Sequence, residues 1–257
     1  MSASLEVPAL PVAYVKALQL LRSPEAELDQ LVRIGNDDPA FAGALLRLAN
    51  SAESSPLTRV RTIRGAVVRL GLPKARRTII GVTLTKAFRG VGGSNIDEHE
   101  LWRHLVAVGM LADELAWGRV AYSDAFTAGL LHDIGRLAMA TEDPKRYGQV
   151  VLAARSTGRT IEEEQHFFGL THSEWSAAVG QRWGFPDDIV EAIADHHGGE
   201  ESGLSWVLHK AREEASAMGI GDGVLPSSAQ PATATAGGAD ALLQRVDAFV
   251  NTVRRAA

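Results

Sequence analysis

The sequence predicts an all-α protein built of two packed helical bundles. Three observations carry this: apolar residues recur at helical spacing along nearly the whole chain, Ser-Pro and Asp-Pro pairs stand where helices begin, and no segment sustains period-2 alternation. Leu10, Tyr14, Leu18 and Leu21 form the first stripe. Ser23-Pro24 supplies an N-cap and a first-turn proline before Leu28, Leu31, Val32 and Ile34, and Asp38-Pro39 repeats that start before Phe41, Leu45, Leu46 and Leu48. Ile79-Ile80-Gly81-Val82 has the composition of a strand, but its neighbours do not alternate, so it reads as buried helix. Leu101 to Trp117 and Ala125 to Ala140 are long and apolar-periodic. Thr160-x-x-Glu163 and Thr171-x-x-Glu174 both have capping-box spacing, and Pro186 opens a helix through Ile189, Val190 and Ile193. Trp102, Trp117, Trp175, Trp183 and Trp206 read as core; stacking of a base by Trp175 or Trp183 is the alternative.

Composition divides the chain into four parts. Residues 1–93 form a basic N-terminal helical subdomain carrying 13 Lys/Arg against 7 Asp/Glu. Residues 94–218 form a second helical subdomain, entered through the glycine-rich run Gly90 to Asn95. Residues 219–240, rich in Gly, Ala, Ser, Pro and Thr, read as a flexible linker. Residues 241–257 form a terminal helix whose stripe of Leu242, Leu243, Val246, Phe249, Val250 and Val253 either docks back on the bundle or binds a partner, with docking preferred. Leu57 to Arg89 holds nine basic residues and no acidic one. These either line solvated helix faces or make an anion-binding surface for a nucleotide, nucleic acid or acidic partner.

Several classes are excluded or disfavoured. The chain has no Cys, hence no disulfide, thiolate metal site or catalytic thiol. No stretch approaches the roughly 20 apolar residues of a membrane span, and the first residues do not read as a signal peptide. The expectation is a soluble, cytoplasmic protein without membrane partners. The phosphate-binding GxxxxGK loop is absent.

The segment that carries chemistry is Gly129-Leu130-Leu131-His132-Asp133-Ile134-Gly135-Arg136. Adjacent imidazole and carboxylate at the end of a buried helix suit a divalent cation such as Zn, Fe, Mn, Ni or Mg. Alone the dipeptide says little, since most histidines are structural. The chain has eight, however, and His104, His166, His172 and the pair His196-His197 fall where helix ends could converge.

The ordered set of Leu101-Trp102-x-His104, Ala128-Gly129-Leu130-Leu131-His132-Asp133-Ile134-Gly135, His172 with Val179-Gly180, Trp183-Gly184-Phe185-Pro186 and Ile193-x-x-His196-His197 resembles the HDOD family of bacterial signalling proteins. Leu10-Pro11, Asp38-Pro39 with Leu45 to Ser51, and Ile63-x-x-Ala66-x-x-x-Leu70-Gly71 extend the likeness through the N-terminal part. The resemblance implies the HD-domain-like all-α fold, kinship with HD phosphohydrolases and HD-GYP phosphodiesterases, and a role in signal transduction or gene regulation. It also implies one common metal site for His104, His132, Asp133, His172, His196 and His197.

Departures from the enzymes matter more. Active HD enzymes close the site with a later Asp; the corresponding helix here reads Ser205-Trp206-Val207-Leu208-His209-Lys210-Ala211-Arg212-Glu213, with Ala211-Arg212 where the resemblance implies Ala-Asp. A register shifted by one would make Glu213 the nearest carboxylate. An Arg cannot ligate a cation and its charge repels one. Arg136 replaces the Lys of HD-GYP enzymes, and Gly198-Gly199-Glu200 follows the paired His without a GYP signature. The expectation is therefore a non-catalytic regulatory module, a pseudoenzyme that binds a signalling protein or a nucleotide second messenger through an HD-derived pocket. Arg136, Arg212, Lys74, Arg76 and Arg77 are its candidate ligand or anion contacts. The rival is a metal-dependent phosphohydrolase with altered ligands. A third reading, nucleic-acid binding, rests on the helix-turn-helix look of Thr62 to Arg77, where Lys74, Arg76 and Arg77 would face phosphates.

Overall fold

The computed structural model describes residues 28–51, 58–88, 91–117, 122–198, 202–225 and 236–256. The first predicted stripe, from Leu10 to Leu21, and the Ser23-Pro24 start lie outside the described residues. Among those described there are helices and no strands. They fall into two compact units: one takes 88–246, and the other takes 28–87 with 247–256.

The second of these units begins with α1 (Leu28–Asp37) and α2 (Pro39–Ala49). Asp38 caps α2 through Oδ1, which accepts from Ala40 N at 2.7 Å, while Pro39 fills the first turn where no N–H is needed. Phe41, Ala44, Leu45 and Leu48 bury one face of α2. Asn50 ends it and ties it to the next segment, donating from Nδ2 to Leu46 O and Val60 O and accepting from Val60 N. Thr62 caps α3 (Ile63–Leu70), and α4 (Leu72–Ala87) follows directly. Ile79-Ile80-Gly81-Val82 is buried helix in α4, as its lack of alternation predicts. Phe249, Val250 and Val253 of the terminal helix are buried in this unit.

The other unit holds α5 (Glu98–Leu115), α6 (Tyr122–Leu131), α7 (Ile134–Glu142), α8 (Pro144–Thr157), α9 (Thr160–Phe168), α10 (His172–Arg182), α11 (Asp187–Ala194) and α12 (Gly203–Ala217). Among the described residues, α5 packs most extensively on α6. It is close because Gly129 faces Gly109: a Cβ on Gly129 would stand 2.6 Å from Gly109 Cα. α13 (Ala236–Ala256) closes the chain; its Leu242 and Val246 are buried, and the division between the units falls within it.

Three readings need correction. The capping box at Thr171 and Glu174 forms in full, but the one at Thr160 does not: Arg159 holds that N-cap position and Thr160 is buried inside the helix. Trp117 is 76% exposed at the end of α5 rather than core. Residues 219–225, read as the start of a flexible linker, are packed, with Ile220 and Val224 buried. Gly221 N donates to Glu100 Oε1, Asp97 N donates to Gly223 O, and Arg155 Nε donates to Val224 O. The strap is held by backbone groups, which sequence composition does not register. Residues 226–235 of that reading lie outside the described residues.

Candidate metal centre

Three imidazoles of the cluster are aimed by the groups behind them. His132 follows the last turn of α6, and its Nδ1 lies 2.7 Å from Gly129 O. His196 follows α11, with Nδ1 2.6 Å from Ile193 O. A carbonyl can only accept, so both Nδ1 atoms donate and both neutral rings present an Nε2 lone pair. His172 opens α10, where the Thr171 cap sets the helix start, and its Nδ1 donates to Glu164 Oε2 at 2.6 Å. Glu164 also accepts from His172 N and from Tyr147 Oη, which donates to Oε1 at 3.0 Å. Imidazole backed by a carbonyl or carboxylate is the arrangement that orients metal-binding histidines and raises their basicity.

Asp133 stands at the middle. Its Oδ1 is 3.1 Å from His196 Nε2 and 3.2 Å from His172 Nε2. Its Oδ2 is 3.1 Å from Arg136 Nε, 3.6 Å from His132 Nε2 and 3.8 Å from His104 Nε2. His197 Nε2 lies 2.8 Å from His172 Nε2, and His104 Nε2 lies 3.2 Å from His132 Nε2. His132, Asp133, His172 and His196 are fully buried, while His197 is exposed and gives the cluster its edge. All six predicted metal-site residues are thus brought together, in two groups that share Asp133: Asp133, His172, His196 and His197, and His104, His132 and Asp133. His166 is not among them; it is exposed on α9 beside Phe167.

The donors fit a cation. Asp133 Oδ1, Asp133 Oδ2 and His196 Nε2 are buried without a hydrogen-bond donor. A carboxylate oxygen and an imidazole lone pair facing each other at 3.1 Å repel unless a positive species lies between them. Burial pushes His196 and His104 down to about 4 and His132 well below its ordinary value, so a proton does not serve at neutral pH. Burial would raise Asp133, but Arg136, His132 and His172 outweigh it and hold the carboxyl well below its usual range. His172 is pushed down by burial and up by Glu164, with a net rise. Donors bonded to one ion at about 2.1 Å stand roughly 3.0–3.4 Å apart, the spacing seen around Oδ1.

Two arginines flank the centre. Arg136, 1% exposed, bridges two carboxylates: Nε faces Asp133, and Nη1 lies 3.0 Å from Asp222 Oδ2. Asp222 Oδ1 accepts from Val224 N and Leu225 N, which fixes the strap at that point. Arg212 donates from Nη1 to His196 O at 3.3 Å and lines a 430 Å³ cavity with His209, Glu213, Ser216 and Ala217. Glu213 is exposed and pairs with Lys210 at 2.7 Å, so Arg212, not Glu213, is the residue turned to the cluster. Lys74, Arg76 and Arg77 lie partly buried on α4, in the other unit, and are not among the residues meeting at Asp133.

Glu164, Tyr147 and Asp222 were not singled out from sequence. Glu164 had a signal: Thr160, Glu164 and Phe168 share one helical face, and all three are buried. Asp222 had none, lying in a run whose composition suggests a tether.

Helices that gather an adjacent His-Asp pair and four further imidazoles around one carboxylate define an HD-type module. The chain belongs to the HDOD family, matching the HDOD domain over residues 7–198. An uncharacterized protein of Treponema pallidum (strain Nichols) is 26% identical over 198 residues, which cover 75% of this chain and 38% of that protein. The structure is similar to that of a candidate signal transduction protein from Marinobacter aquaeolei VT8, with a TM-score of 0.79, 23% identity, and coverage of 97% of this chain and 60% of that one. It is also similar to a candidate phosphohydrolase from Shewanella amazonensis SB2B, with a TM-score of 0.74, 24% identity, and coverage of 100% and 99%. The chain therefore spans less than two-thirds of the length of the Treponema and Marinobacter proteins. No helix among the described residues is long and apolar enough to cross a membrane.

Proposed function

We propose that this chain is a regulatory HDOD module whose HD-derived centre holds a divalent cation and whose arginine-lined flank binds a phosphorylated small ligand, of nucleotide or cyclic-dinucleotide class, without hydrolysing it. The observation that carries this is Arg212, fixed on the carbonyl of His196 at the edge of the cluster. Metal-assisted hydrolysis needs ions that bind phosphate oxygens and activate water. Here one carboxylate, Asp133, faces the Nε2 atoms of the imidazoles, and the guanidiniums of Arg136 and Arg212 stand beside them. Arginine is suited instead to holding phosphate oxygens, and Arg212 lines an open 430 Å³ recess beside the cluster. When bound, a cation would supply charge to orient such a ligand; His172 and His196 are preset to hold it by the groups behind their Nδ1 atoms.

The second reading, a metal-dependent phosphohydrolase with altered ligands, is favoured by the intact convergence of six donors. One experiment separates the two. The protein, loaded in turn with Mg, Mn, Fe, Ni and Zn, is screened against nucleotides and cyclic dinucleotides by thermal shift and by product analysis. The expected result is a ligand-dependent rise in Tm that Arg212→Gln diminishes, with no turnover. Metal-dependent hydrolysis that disappears in His132→Ala would replace the regulatory reading with the enzymatic one.

A further inference from the structure

We infer that the centre holds one cation rather than two, seated among Asp133 Oδ1, His172, His196 and His197, and that Arg136 keeps the other half of the cluster, His104 and His132 with Asp133 Oδ2, free of metal. The inference rests on the reading of the cluster as a cation centre and adds the ion's place and number.

The two groups sharing Asp133 are not equivalent. Around Oδ1 the imidazoles stand at 3.1 and 3.2 Å, and His197 completes a set of three nitrogens and one oxygen. Two of the three rings have their Nδ1 donating to Ile193 O or Glu164, so their lone pairs point inward with no other partner than the cluster. His197 is exposed and opens this half to solvent, which provides an entry path.

Around Oδ2 the setting differs, because an arginine already stands against it. His132 Nδ1 donates to Gly129 O, leaving Nε2 as an acceptor; His104 Nε2, 3.2 Å away, then donates to it. His172 Nε2 and His197 Nε2 pair in the same way at 2.8 Å, so the paired rings do not distinguish the halves, whereas the neighbours of the two carboxylate oxygens do. Oδ2 itself lies against Arg136 Nε at 3.1 Å, closer than either imidazole. Only three donors are present on this side, against four on the other. Charge points the same way. Arg136 is held between Asp133 Oδ2 and Asp222 Oδ2, so its fixed charge stands on the side of Asp133 that faces His104 and His132. Three imidazoles and one carboxylate favour Zn, Ni, Co or Fe over Mg.

The test is metal stoichiometry on the untagged chain. Protein stripped with a chelator and dialysed is titrated with Ni²⁺ and with Co²⁺, and read by calorimetry, cobalt absorption and elemental analysis after gel filtration. One equivalent per chain is expected. His197→Ala, an exposed change that leaves the packed interior intact, should weaken binding at least tenfold. His104→Gln should keep one equivalent with affinity within about threefold. Two tight equivalents in the unaltered chain would overturn the single-ion inference and leave the cation centre standing. So would loss of the ion in His104→Gln with retention in His197→Ala. No bound ion at all would overturn both, while the hydrolysis assay above decides catalysis independently.

Discussion

Gly135 lies two residues beyond Asp133, where α7 crosses the start of α10. A Cβ there would stand 2.1 Å from His172 O and 2.7 Å from Ser176 N, both backbone atoms that cannot swing aside. Gly135 N also donates to Ser176 Oγ at 2.8 Å. Gly135→Ala is therefore expected to cost about 3 kcal/mol or more, as overpacking against backbone does. Chemical denaturation measures it, and a loss under 1 kcal/mol would show that α7 and α10 are not locked at this point. At this scale the sequence is a good guide wherever chemistry dictates residue type. His132-Asp133 and the other imidazoles were identifiable because few residues hold a cation. Tyr147 and Glu164 were not, because a hydrogen bond behind a ligand leaves no pattern of its own in a helix of ordinary composition.

Helix starts show where spacing suffices and where it fails. Thr171 and Thr160 are each followed three residues later by Glu, yet only Thr171 sits at the N-cap with extended backbone. The difference is set by Arg159, which takes the cap position ahead of Thr160 after the left-handed turn at Gly158. Thr171→Ala should cost about 1 kcal/mol. Thr160→Ala should cost less, since the buried Thr160 hydroxyl has no partner to lose. Thermal unfolding of the two variants side by side checks the order, and the reverse order would refute it. The terminal helix was readable for a different reason: Leu242, Val246, Phe249, Val250 and Val253 keep a 3.6-residue period over about three turns, and all five are buried. Trp117 misled because an aromatic residue inside an apolar-periodic segment carries no mark of whether the helix has already left the core.

For the whole molecule, burying so many neutral imidazoles makes stability depend on pH. His104 and His196, held down to about 4, and His132, held well below its ordinary value, stay neutral in the fold, chiefly through burial. Unfolded, they take up protons below about 6.5, so their contribution to stability is lost as pH falls from about 6.5 toward 4, at about 1.4 kcal/mol per pH unit for each ring. His172 runs the other way: its raised folded value gives stability present below about 6.5 and lost as pH rises through that value. Asp133, Glu164 and Asp222, depressed in the fold, contribute above about 4 and lose that contribution at lower pH. The sum predicts a Tm at pH 5 at least about 5 °C below that at pH 7.5 for the metal-free protein. An equal or higher Tm at pH 5 would contradict the buried neutral state. At this scale the all-α class was legible from periodicity, whereas the packing of 219–225 was not, because its backbone groups and Asp222 are held by partners distant in sequence. That contact has a wider consequence. Arg136 is shared between Asp133 and Asp222, so the strap and the carboxylate at the middle of the cluster answer to the same guanidinium. If a cation binds at Asp133, its charge opposes that of Arg136 there, and by reciprocity the hold of Asp222 on Arg136 and the affinity for the cation would rise together.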